Sequence, residues 1–266
     1  MELELETPYM LARVENGIGW MTFNNPERRN AMKMEMNAAI VTILEAFEAS
    51  DDVRVVVMAG AGDKAFVSGA DISEFETHRS TPEGRERFDA VAASAGRAFA
   101  KLQKPLVAMI RGFCMGGGLA TALQADIRIS ADDGQFGVPA ARLGLGYGFE
   151  GINKLTHIVG PAMAAEIFLT ARRFSAAEAF HMGLVNRVVT VEELESIVTE
   201  LAATIAANAP LTVRAAKAGV KETFKDPGRR DLERVAGMVE ECFLSRDYQE
   251  GRTAFMEKRT PDFQGR

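Results

Sequence analysis

Two runs of alternating apolar and polar residues near the start of the chain, residues 9–15 and 18–24, flank Asn16-Gly17. That dipeptide accepts the positive φ angles of a tight turn, so the pattern predicts an antiparallel hairpin. Beyond it Met32, Met36, Ile40, Ile43, Leu44 and Phe47 recur at three- and four-residue spacing, the single apolar face of a helix. Residues 53–59 are nearly all apolar and rich in valine, as expected of a parallel strand covered on both faces. A glycine-containing loop over 60–69 then leads to Asp71. Helical spacing returns at Phe88, Val91, Ala92, Ala95, Phe99 and Leu102. A buried strand over 105–110, a glycine-entered helix over 116–125, a strand over 127–131 and a short one over 136–138 follow. Strands alternating with helices imply βαβ units with right-handed crossovers.

From about Glu150 the pattern changes to helix after helix. Ser175-x-x-Glu178 and Thr190-x-x-Glu193 are capping-box sequences, while Pro210, Pro227 and Asp231 punctuate the later helices. No internal repeat or low-complexity segment interrupts the chain. The reading is an α/β fold in two parts, a β/α core over 1–207 that carries the site and a helical region over 208–266.

Composition narrows the function classes. With 266 residues, 47% hydrophobic and 26% charged, the chain is an ordinary globular one. Its net charge of −6 argues against a surface built for nucleic acid, though it leaves room for a local basic pocket for a small phosphorylated ligand. The two cysteines, Cys114 and Cys242, stand far apart in no metal-ligand spacing, so a reducing compartment and no structural metal are expected. The acidic start lacks signal-peptide features, and no apolar run reaches the roughly 18 residues of a membrane span. The expectation is a cytoplasmic protein with no membrane or nucleic-acid partner. His78, His157 and His181, the only histidines, sit in no metal or nucleophile motif and are read as surface or cap residues. Residues 146–151 fit G-x-G-x-x-G, but no strand–turn–helix unit surrounds them, and no dinucleotide cofactor is expected.

The chemistry gathers at two glycine-bearing segments. One is Phe66-Val67-Ser68-Gly69-Ala70-Asp71-Ile72; the other is Gly112-Phe113-Cys114-Met115-Gly116-Gly117-Gly118, between a buried strand and a helix. A triple glycine there lets backbone approach a ligand and presents unpaired N–H groups at the positive end of a helix, which suits a developing oxyanion. Close helix–strand packing explains the same three glycines equally well, and the residues alone leave both readings open.

This pair of segments resembles the enoyl-CoA hydratase/isomerase (crotonase) superfamily. Further matches run nearly end to end: Asn25-Pro26-Glu27-Arg28-Arg29-Asn30-Ala31-Met32, Asp126, Phe136-Gly137-Val138-Pro139, Gly183-Leu184-Val185-Asn186, and residues 250–259. The resemblance implies a spiral of ββα/βαβ units with a C-terminal helical trimerisation region, assembled as a homotrimer or homohexamer. It implies that Ala70 and Gly117 donate their backbone N–H groups to the carbonyl of an acyl-CoA thioester. Arg29, Ser68, Ala70, Asp71, Ile72, Ser73, Gly116 and Gly117 would line the CoA site, and Phe255 and Lys258 would reach the CoA of a neighbouring subunit. No cofactor is implied beyond the coenzyme A of the substrate itself.

One departure matters. The two glutamates that hold water in a standard hydratase of this family match Ala120 and Ala140, and neither can carry a proton. General acid–base groups contribute about 10²–10⁴-fold each. The following loop offers Arg142, Tyr147 and Glu150 instead. Three readings remain open: proton shift or water addition assisted by Glu150 or Tyr147; decarboxylation of a malonyl-type CoA, which needs no base; and a non-catalytic acyl-CoA binder. For Glu150 the plainer alternative is a carboxylate favoured at a helix start, and for Tyr147 it is packing.

Overall fold

The expected hairpin closes at Asn16-Gly17, whose φ angles are 52° and 79°. The structure is a computed structural model and describes residues 2–71, 73–74 and 81–266. Strand β1 (Met10–Glu15) lies antiparallel to β2 (Ile18–Phe23), with Glu15 opposite Ile18. A six-stranded sheet grows from this pair in the order β1-β2-β3-β5-β7-β10, with β3 at Val55–Gly60, β5 at Leu106–Ile110, β7 at Ile127–Ala131 and β10 at Arg187–Val189. Every pairing after the first is parallel.

The valine-rich run explains itself once both faces are seen. Val56 and Met58 pack with Met21, Phe23, Ile40 and Phe47 under helix α1 (Met34–Ala49). Val55 and Val57 pack with Trp20, Leu194 and Val198 under a later helix, α6 (Leu194–Ala206). Helix α2 (Pro82–Lys101) lies against α1. Alternate residues of one strand thus feed two apolar layers, which is why no polar position interrupts it.

A second sheet, β4-β6-β8-β9, is built from Ala65–Val67, Phe113–Met115, Gln135–Gly137 and Phe174–Ser175. The chain leaves β3, β5 and β7 of the large sheet and enters β4, β6 and β8 of the small one in turn. Gly112 makes the second of these turns with φ 62°, and a Cβ there would lie 2.2 Å from the Lys64 carbonyl oxygen. The pattern of residues 60–69 predicted only a loop, that of 111–115 no element, and residues beyond 150 only helices; β4, β6, β9 and β10 correct that. Strands of two or three residues show no periodicity, and burial of Phe66, Phe136 and Phe174 holds three of them in place. Strand β10 is fixed by Asn186, whose Oδ1 accepts from Arg128 N at 2.8 Å while its own N–H donates to the Arg128 carbonyl.

The remaining helices among the described residues are α3 (Gly117–Ala122), α4 (Phe149–Thr170), α5 (Ala176–His181), α7 (Pro210–Thr223), α8 (Leu232–Leu244) and α9 (Arg246–Glu257). Helix α4 breaks at Gly160, φ 78°, ahead of Pro161, which has no N–H to continue the ladder. The Ser175–Glu178 capping box forms, with Ser175 N–H on Glu178 Oε2 at 2.8 Å and Glu178 N–H on Ser175 Oγ at 3.3 Å. The same reciprocal bonds join Thr190 and Glu193. There they close a turn that precedes α6 rather than its first residues. No single helix among the described residues is long and apolar enough to cross a membrane.

Glu222 joins α7 to α8. Its buried carboxylate accepts from Lys225 Nζ (2.8 Å), the Asp231 N–H (2.9 Å) and Arg234 Nη2 (3.1 Å). The hydrogen bond from Lys225, then those from Asp231 and Arg234, pull its pKa from 4.5 to about 2. A carboxylate lowered on folding stabilises the native state above its unfolded pKa and loses that effect as pH falls toward the folded value. Glu222→Gln is therefore expected to lower the thermal midpoint at neutral pH, with the gap to the parent closing as pH falls through 4.5 toward 2. Equal midpoints at neutral pH would contradict this role.

Candidate functional site

The loop after β4 is tied down one backbone group at a time. Ser68 N–H donates to the Arg29 carbonyl (3.1 Å), Met32 N–H to the Gly69 carbonyl (2.8 Å) and Asp71 N–H to the Met32 carbonyl (2.9 Å). Gly69 has φ 120°, a conformation open to glycine and costly for other residues. Across from it, Gly116 has φ 52° and its N–H donates to the Gly137 carbonyl at 2.8 Å. Among the described residues no hydrogen-bond partner takes up the N–H of Ala70 or of Gly117.

The three glycines differ in what the lack of a side chain permits. A Cβ on Gly118 would meet the Val67 carbonyl oxygen at 2.0 Å, so that glycine permits α3 to lie on β4. A Cβ on Gly117 would meet only ordinary contacts, the nearest being Ala70 N at 3.6 Å. The two segments picked out by sequence therefore converge at residues 70 and 117, the latter on the first turn of α3.

Asn30 is the supporting residue that sequence reasoning quoted but did not single out. Fully buried, its Nδ2 donates to the carbonyls of Ala61 (2.9 Å) and Ala65 (2.7 Å), and its Oδ1 accepts from Asn25 N–H (2.9 Å). It locks the 25–32 segment, which brackets Ala70, onto the β3–β4 turn. The signal for it was a lone asparagine in a run of charged residues, with no pattern to mark it as buried.

The other expected residues fall in several places. Arg29 places its guanidinium 5.0 Å from the Phe113 ring centroid, and Arg173 lies 5.2 Å from the same ring. Ser68 Oγ donates to the Arg28 carbonyl at 3.4 Å. Buried Asp71 is occupied locally, its Oδ1 accepting from Ser73 N (3.0 Å) and Ser73 Oγ (2.7 Å). Ile72 and His78 lie outside the described residues. Ala120 and Ala140 are half-buried, and the thiol of Cys114, just ahead of the triple glycine, is buried, with a pKa pushed far up by burial, unfit as a nucleophile. Arg142 is exposed.

Tyr147 packs its ring 5.0 Å from that of Phe168, and burial raises its pKa, so the phenol stays protonated. Glu150 is exposed in the first turn of α4, where a carboxylate is favoured by the helix dipole. Phe255 is 83% exposed, and with Tyr248 and Phe263 it lines an apolar cavity of about 990 Å³ between α7, α8 and α9. Lys258 ends α9 in a left-handed conformation, φ 56°. Neither Ala70 nor Gly117 lines that cavity, so one chain alone does not bring Phe255 to them.

Residues 13–266 match the Enoyl-CoA hydratase/isomerase family model. A crotonyl-CoA hydratase of Syntrophomonas wolfei is 36% identical over 249 residues, which cover 94% of this chain and 95% of that protein. A short-chain-enoyl-CoA hydratase of Clostridium acetobutylicum is 34% identical over 255 residues, 96% and 97% of the two chains. Among solved structures, an enoyl-CoA hydratase/carnithine racemase from Magnetospirillum magneticum superposes with a TM-score of 0.91 at 34% identity, covering 98% of this chain and 97% of that one.

The glycine division can be tested by denaturation. Gly118→Ala is expected to cost about 1–3 kcal/mol or more, because the new methyl collides with backbone. Gly117→Ala is expected to leave the unfolding midpoint close to the parent's. Equal losses from the two would refute separate roles for these positions.

Proposed function

The chain belongs to the enoyl-CoA hydratase/isomerase family, and from that premise we propose that it works through an acyl-CoA enolate whose oxygen is held between the Ala70 and Gly117 N–H groups. It is a lyase- or isomerase-type enzyme on CoA thioesters. The observation that carries the enolate reading is the approach of residue 117 to Ala70 N, with neither N–H hydrogen-bonded among the described residues. A thioester acidifies the proton on its α-carbon. When that proton leaves, charge moves onto the carbonyl oxygen, where two fixed dipoles stabilise it without rearranging. One such donor is worth roughly 3–4 kcal/mol of barrier.

Glu150 is the carboxylate assigned to proton transfer, since Ala120 and Ala140 carry none and Asp71 is engaged with Ser73. Tyr147, kept neutral, serves as a donor rather than a base. The relatives named for crotonyl-CoA and short-chain enoyl-CoA make short 2-enoyl thioesters the first substrates to try. A second reading rests on the protonated Tyr147 and on the lack of a carboxylate at residues 120 and 140. In a malonyl-type CoA the C–C bond to the carboxylate breaks, its electron pair forms the enolate as CO₂ leaves, and a proton then adds to the α-carbon. No base is needed.

The exposed side chains of Phe255 and Met256, beside the apolar cavity of the C-terminal helices, support assembly of this face with other copies as a trimer or a hexamer. Burying such a patch is favourable in proportion to its area.

Gly117→Ala, which places a methyl against the Ala70 N–H, is expected to lower kcat/KM on a short enoyl-CoA about 10²–10³-fold while the protein stays folded. Glu150→Gln should lower kcat about 10²–10⁴-fold with KM little changed; an unaltered rate would return Glu150 to a helix-start role. CO₂ release from methylmalonyl-CoA, with no turnover of enoyl-CoA, would select the second reading; no turnover in either series would overturn both. In sedimentation the parent should run as a trimer or hexamer and Phe255→Asp as a smaller species. A monomeric parent would refute the assembly.

A further inference from the structure

A second cavity, of about 630 Å³, opens between the C-terminal end of α2, helix α7 and helix α8. Its walls carry six cations: Lys101, Arg214, Lys217, Lys221, Lys225 and Arg234. Four carboxylates partner them among the described residues. Asp126 pairs with Lys217 (2.7 Å), Glu241 with Arg214 (3.2 Å), Glu222 with both Lys225 and Arg234 (2.8 and 3.1 Å), and Asp231 with Arg234 (3.8 Å). Six against four leaves a surplus of two positive charges, in a chain whose net charge is −6.

Part of this arrangement is structural. Lys221 Nζ donates to the carbonyls of Ala100 (3.1 Å) and Leu102 (3.0 Å), closing the end of α2. Lys217 holds Asp126, which also accepts from the Leu106 N–H at 2.8 Å and so anchors β5. The rest is less committed. Lys101 has no ion-pair partner among the described residues. The Nε of Arg214 is buried without any hydrogen-bond partner. Lys221 meets no carboxylate directly, and burial, then Lys217, pulls its pKa down to about 8. A buried donor with nothing to bond, among repelling cations, is costly until an anion arrives.

We propose that this cavity binds a diphosphate-bearing small molecule, with Lys101, Arg214 and Lys221 as its principal contacts. A terminal diphosphate carries about three negative charges once the second ionisation of its end phosphate, near 6, is complete. It matches the surplus in sign. Its oxygens accept from the planar guanidinium of Arg214 and the point charges of the lysines, a division suited to phosphate recognition. The volume lies within the range of small-molecule sites, about 300–1,000 Å³. The cavity is separate from the convergence of Ala70 and Gly117, neither of which lines it.

Inorganic pyrophosphate is the probe, titrated calorimetrically into the full-length protein in dilute buffer, with ADP as a second arm. One site per chain is expected. Lys221→Met and Lys101→Gln should each bind pyrophosphate at least about tenfold more weakly, a change of roughly 1.4 kcal/mol. In both variants kcat/KM on the acyl-CoA substrate should be unchanged. Lys101 ends α2 at the surface, so Lys101→Gln decides the matter if Lys221→Met fails to fold. ADP binding tighter than pyrophosphate would assign the ligand to nucleotides; weaker binding would assign it to free diphosphates. Three results would overturn the proposal: no binding at millimolar pyrophosphate, equal affinity in parent and variants, or losses of affinity matched by equal losses in kcat/KM.

Discussion

Two backbone donors without a hydrogen-bond partner among the described residues, at Ala70 and Gly117, are the constraint around which the rest of the chain is arranged. Ala70 is half-buried and Gly117 exposed, so both N–H groups are open to a ligand. Here the neighbours on both sides are bonded: Ser68 and Asp71 to the 29–32 segment, Gly116 to the small sheet. The N–H groups of Ala70 and Gly117 have no hydrogen-bond partner among the described residues. On the proposed reading they are held ready for a thioester oxygen as it enters and develops charge.

Holding those donors still is the task of the spiral. Each turn through the large sheet ends in a strand of the small one, so the loops after β4 and β6 rise side by side. Gly112 lets the chain turn against Lys64, and Gly118 lets α3 lie on Val67, both at distances no Cβ would allow. Asn30 bonds three backbone groups from within the fold. None of these residues is placed to touch substrate in this account; they fix the backbone that does.

Legibility followed the length and periodicity of each element. The hairpin, α1, β3, β5 and β7 were readable because each shows several repeats of its period or an Asn-Gly turn with one backbone solution. Strands β4, β6, β9 and β10 were not, since two or three residues carry no period and their pairing is set by distant partners such as Phe66, Phe136 and Asn186. The pairing of residues 70 and 117 came from the family resemblance of the two segments, since the glycines alone fit close helix–strand packing equally well. Phe255 and Lys258 were named by the family resemblance alone, and Phe255 lines the apolar cavity of the C-terminal helices. The sequence did not reveal the basic cavity: its cations come from α2, α7 and α8, and only packing brings Lys101 beside Lys221. The alanines at 120 and 140 were plain in the sequence, and the structure adds that Tyr147 is a half-buried, protonated phenol and Glu150 an exposed carboxylate.

The account turns on where a thioester oxygen sits. A crystal structure of the protein with a slowly turned-over acyl-CoA analogue measures that position directly. The account predicts the carbonyl oxygen within about 2.7–3.1 Å of both Ala70 N and Gly117 N, with the α-carbon facing the loop that carries Glu150. An oxygen bound elsewhere, or either N–H engaged by protein in the complex, would contradict it.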